Sequence, residues 1–126
     1  MLSWIFLALI LYYVGLFLPS LFLIPQIGVP AYMGSRDSVP EPSPMHSRAQ
    51  RATRNMLENL VPFLALAVLA MVLPEADMDG AIQGAALFVL ARAAYLPLYL
   101  LAVPWVRSLA WTVAWIGLIL MALALI

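Results

Sequence analysis

From Leu2 to Ile24 the chain is apolar, broken only by Ser3, Gly15, Pro19 and Ser20. At 1.5 Å of rise per residue this run makes a helix of roughly 35 Å, enough to cross a bilayer. No basic residue precedes it and no small-residue cleavage site follows. It therefore reads as a retained membrane helix rather than a signal peptide. The remaining chain repeats the pattern. The expected helices cover about 2–27, 47–73, 81–101 and 105–126. The second is polar in its first three turns and apolar afterwards. Residues 28–46 are dense in proline, glycine and serine and read as an aqueous loop, and residues 74–80 form a short acidic turn.

Composition agrees with this reading. Of 126 residues, 66% are hydrophobic and only 10% charged. Soluble domains are roughly half apolar and a quarter charged. Too few polar side chains are present to cover a globule, whereas four spans need about 80 apolar positions. The expected fold is an all-α integral membrane protein, a four-transmembrane-helix bundle forming a single domain over residues 1–126. A soluble enzyme, a secreted disulfide scaffold and a nucleic-acid binder are excluded. The chain has no cysteine, hence no thiol of its own. His46 is the one histidine and has no ligand-spaced partner, which argues against a protein-built metal site.

Orientation is read from charge. Arg36, Arg48, Arg51 and Arg54 gather in the 28–46 loop and at the start of the second helix, and Arg107 sits at the third-to-fourth turn. The other side carries Glu75, Asp77 and Asp79, read as a solvated turn. The positive-inside rule places the arginine side in the cytoplasm and both termini outside.

Ionisable residues inside membrane helices mark functional sites by default. On the second helix Arg48, Arg51, Asn55 and Glu58 are spaced three, four and three apart, a stripe of about 80° bordered by Arg54. On the third, Arg92, Tyr95 and Tyr99 make another stripe, and Arg107 and Ser108 open the fourth. Hairpin order brings all of them to one depth. The simplest pairing is Glu58 with Arg92, with Arg54 as an i,i+4 alternative. Pro62 and Pro97 free the carbonyls of Glu58 and Ala93, which the arginines are placed to satisfy. Each element also has a plainer reading: Arg48 and Arg51 as interfacial anchors, Tyr95 and Tyr99 as an aromatic belt, and Glu58 with Arg92 as a structural ion pair. Trp4, Trp105, Trp111 and Trp115 read as interface and packing residues. None of these explains why the polar residues collect on one side with arginine in excess. Surplus arginine, one carboxylate and two phenols suit a small zwitterion with more than one carboxylate. An arginine beside a bound thiol would also favour its thiolate. Glutathione is one molecule of this description, permitted by the residues without being selected by them.

The motifs resemble a known family. Arg48 to Phe63 reads RAQRATRNMLENLVPF, Ala91 to Tyr99 reads ARAAYLPLY, and Pro104 to Ser108 reads PWVRS. Their order and separation are similar to those of the membrane-associated proteins in eicosanoid and glutathione metabolism (MAPEG), in their short, bacterial type. The resemblance implies a homotrimer of four-helix subunits in an inner membrane, with glutathione as co-substrate between neighbouring subunits on the cytoplasmic side. Arg51, Arg54, Asn55, Glu58, Tyr95 and Tyr99 then correspond to glutathione contacts, and Arg92 to the pocket's internal ion-pair partner. Arg107 corresponds to the arginine that stabilises the thiolate and Ser108 to its neighbour near the sulfur. Arg36 is similar to a first-loop arginine. Asn59 stands where some members have tyrosine, and Trp111 replaces a tyrosine found in part of the family. The lipid cleft of the leukotriene and prostaglandin synthases therefore does not carry over. The implied activity is that of a glutathione transferase, with or without peroxidase activity, toward a lipophilic small molecule arriving from the bilayer. Two other readings stand beside it: a non-catalytic binding or structural protein of the same fold, and a small transporter using Glu58.

Overall fold

A computed structural model describes residues 1–35, 37 and 41–126, so Arg36 lies outside the described residues. The described residues form an all-helical structure. Helix α1 covers Leu2–Met33, α2 Pro44–Val72, α3 Met78–Leu100 and α4 Pro104–Leu123. All four are long and apolar enough to span a membrane.

The helix starts differ from expectation for reasons of capping. α2 begins at Pro44 because Ser43 caps it, its side chain accepting from the His46 amide at 3.2 Å. Proline at the first helical position gives up no needed donor. α3 begins at Met78 because Asp77 accepts from the Gly80 amide at 3.1 Å. α4 likewise opens on proline, and it closes at Leu123, short of the expected 126.

α1 departs most. It was expected to end near residue 27, but helical structure resumes after a break at Gly28, whose φ of 77° and ψ of 160° glycine adopts freely. The Ser20 and Tyr32 hydroxyls meet at 2.7 Å. Twelve residues of straight helix would separate them by about 18 Å, so the segment after Gly28 doubles back on α1.

α3 and α4 form the most extensive contact. A Cβ built on Gly84 would come within 2.7 Å of the Gly117 carbonyl oxygen, and one on Gly117 within 2.7 Å of the Gly84 carbonyl. Bare backbone on both sides permits this approach, the usual device of membrane helix pairs. The core beside it is rich in alanine, with Phe63 of α2 stacked on Phe88 of α3 at 4.6 Å between ring centroids.

α1 joins α2 through a proline defect. Pro19 denies the Gly15 carbonyl its helical donor. Thr53 of α2 reaches that oxygen at 2.6 Å, and His46 Nδ1 lies 2.8 Å from the Pro19 carbonyl. The start of α2 is thereby fixed against the middle of α1.

Candidate functional site

The polar residues of α2, α3 and α4 do meet at one level. Arg48 Nη1 donates to the Leu100 carbonyl at 3.1 Å, tying the start of α2 to the end of α3. One turn on, Arg51 Nε donates to the Tyr99 hydroxyl at 3.2 Å. A further turn on, the Asn55 side-chain oxygen accepts from Arg92 Nη2 at 2.9 Å. The three-four spacing of Arg48, Arg51 and Asn55 thus points these three residues of the α2 stripe at α3.

From α4 the Arg107 guanidinium lies over the Tyr99 ring, 4.5 Å from its centroid. Tyr95 and Tyr99 tilt together at 5.4 Å. Asn55, Tyr95, Tyr99, Arg107 and Ser108 line one open cleft of about 550 Å³, together with Trp111 and Thr112. Those last two follow Arg107 and Ser108 by one helical turn. Trp111 was read as a packing residue and Thr112 was not singled out, although the i,i+4 spacing puts both on the same face. Ser108 directs its hydroxyl proton to the Pro104 carbonyl at 2.9 Å, leaving oxygen lone pairs free to accept.

The expected Glu58–Arg92 pairing does not form. Glu58 takes the alternative, accepting from Arg54 Nε at 3.3 Å. Both side chains are exposed, Arg54 at 83% and Glu58 at 57%. Arg92 is only 1% exposed, and it binds Asn55 and the sulfur of Met56 instead, beneath the Tyr95 ring. The reason is angular: the α2 positions facing Arg92 are Asn55 and Met56, while Glu58 turns outward with Arg54. The arginine–carbonyl bond observed is also a different one, on Leu100 rather than on Glu58 or Ala93.

Arg51 and Arg54 line a second open groove of about 520 Å³ between α1 and α2, with Tyr12, Leu16, Pro19, Gln50, Thr53 and Leu57. The expected site residues therefore divide. Five surround the α2–α3–α4 cleft, Arg51 lines the α1–α2 groove and meets the cleft only through its bond to Tyr99, Arg54 and Glu58 are exposed, and Arg92 lies behind the cleft lining.

Four spanning-capable helices around a polar, arginine-bearing cleft define an integral, multi-pass membrane protein. The MAPEG family model matches residues 1–126, the whole chain, and the protein belongs to that family. No curated protein and no solved structure matches it. Membership supports, in general terms, a membrane protein of glutathione-related transferase or peroxidase function or a related one, in a family whose members generally use glutathione.

Proposed function

We propose that the protein is a membrane-embedded glutathione transferase whose α2–α3–α4 cleft holds the tripeptide. The carrying observation is the cleft itself: three helices contribute Asn55, Tyr95, Tyr99, Arg107 and Ser108 to one opening. Its donor set fits an anionic thiol. Arg107 offers a permanent positive charge, and the planar fork left beside the Tyr99 ring is suited to a carboxylate or thiolate. Placed next to the bound sulfur, it favours ionisation at neutral pH. The thiolate then attacks an apolar electrophile arriving through the lipid. A carbon–sulfur bond forms, and the displaced group leaves with its electron pair.

In this proposal the working unit is a homotrimer with the arginine-rich side in the cytoplasm. Supporting it, Arg54 and Glu58 are exposed well inside α2, with Glu58 roughly 21 Å along the helix from Pro44. Charges exposed on a membrane-spanning helix are costly against lipid, and a neighbouring subunit would cover them. The groove bordered by Arg51 and Arg54 would then face the neighbour's cleft. The Arg54–Glu58 pair also weighs against a transporter built on a lone Glu58.

The test is a glutathione titration of detergent-purified protein, followed by ultraviolet difference absorption of the thiolate at neutral pH. A saturable signal is the expected result. Folded protein with no signal overturns the transferase reading.

A further inference from the structure

Resting on that reading, we infer that Arg92 is a positioning residue: it locks the Asn55 amide so that its NH2 is a dedicated donor for a carboxylate of the ligand. A guanidinium carries only donors. The atom of the Asn55 side chain that faces Arg92, 2.9 Å from Nη2, is therefore the oxygen. The amide nitrogen must then lie on the other side of the side chain. Asn55 lines the cleft and Arg92 does not. The polarity of Asn55 toward a ligand is thus set from behind, by a charge that never touches it.

The surroundings of Arg92 leave it little freedom to do otherwise. It is almost wholly buried, with Nε on the Met56 sulfur at 3.5 Å and its carbon 4.6 Å from the Tyr95 ring centroid. Tyr95 is a second cleft residue in direct contact with the same guanidinium. Among the described residues, no carboxylate forms a salt bridge with Arg92, and Nη1 has no hydrogen-bond partner. An unbalanced positive charge behind an amide polarises its NH2 toward an anion in front, and charge-assisted hydrogen bonds are the stronger ones. Because the buried charge persists whether or not a ligand is present, the cleft prefers an acidic ligand over its neutral analogue.

Asn55→Asp tests this directly. It keeps an oxygen against Arg92 and adds an ionic partner, but replaces the NH2 donor with an acceptor. The expected result is a protein at least as heat-stable as wild type in detergent, with glutathione affinity lowered about ten- to a hundredfold. The preference of wild type for glutathione over its diethyl ester should shrink in parallel. A second arm covers an Asn55→Asp protein that fails to fold. Arg92→Met and Asn55→Ala are each measured for glutathione affinity, alone and combined. Action through Asn55 predicts that Arg92→Met costs nothing further once Asn55 is alanine. Wild-type affinity in Asn55→Asp, or independent multiplying losses in the double variant, overturns the inference while leaving the transferase proposal intact. Failure of wild type itself to bind glutathione overturns that proposal and this inference together.

Discussion

Arg107 and Tyr99 are joined face to charge: the guanidinium of α4 sits 4.5 Å from the centroid of the α3 ring, while Arg51 of α2 donates to the hydroxyl of that same ring at 3.2 Å. One phenol therefore connects three helices at the edge of the cleft. A cation over a ring face is attracted to it by about 0.5–1 kcal/mol when exposed, which suits the sulfur-facing role proposed for Arg107.

Arg107→Ala is expected to abolish the thiolate absorbance of bound glutathione and with it turnover, while gel filtration in detergent shows the wild-type size. Arg107→Lys restores charge but not the planar fork and should recover only part of the signal. Wild-type rates in the alanine variant would remove Arg107 from the chemistry.

Tyr99→Phe keeps the ring beneath Arg107 and deletes the acceptor of Arg51. Losing one hydrogen bond to a charged group is worth about 1.5–3 kcal/mol at most, less here because Arg51 is exposed to solvent. The expectation is a several-fold rise in the glutathione dissociation constant with kcat nearly preserved. A collapse of kcat with unchanged binding would assign Tyr99 a different part.

Gly117→Ala should destabilise the fold by about 1–3 kcal/mol, the usual cost of overpacking. The added methyl would meet the Gly84 carbonyl and the Phe88 amide, both at 2.7 Å, and backbone cannot swing aside. Thermal unfolding in detergent measures this, and an unchanged midpoint would mean that α3 and α4 do not cross at these glycines.

Thr53→Val removes the hydroxyl that serves the Gly15 carbonyl at 2.6 Å. Interhelical hydrogen bonds in membranes contribute about 0.6 kcal/mol on average and up to about 1.7. A loss near the upper end is expected, because Pro19 leaves that carbonyl no helical donor to return to. The readout is again the unfolding midpoint, and a neutral effect would argue that α1 is held without the Thr53 bond, by apolar packing and the His46 contact with the Pro19 carbonyl.

How much of this was legible in the chain depended on the kind of signal. The four spans follow from apolar runs of bilayer length, and the inward aim of Arg51 and Asn55 from three-four spacing. Helix starts were missed by three residues because Ser43 and Asp77, short polar side chains, act as caps only once the backbone turns. The resumption of α1 beyond Gly28 was hidden by prolines that read equally well as loop. The Glu58–Arg92 pairing failed because charge alone does not report angle: Arg54 lies one turn from Glu58 on its own helix, and Asn55 is the position that meets α3. Trp111 and Thr112 escaped because a tryptophan near a helix start also suits a membrane interface, so only the packed helices distinguish a cleft wall from an anchor.

The burial of Arg92 also bears on how the chain is made. A lone arginine near a helix centre raises the cost of inserting that helix by about 2.5–3.5 kcal/mol. Arg92 lies roughly 21 Å from the start of α3 and about 12 Å from its end. Its compensation comes from Asn55 and Met56, which belong to α2 and emerge from the ribosome first. During biogenesis α3 is therefore expected to enter the bilayer as the second arm of a hairpin, its passenger charge handed to a helix already waiting at the insertion site.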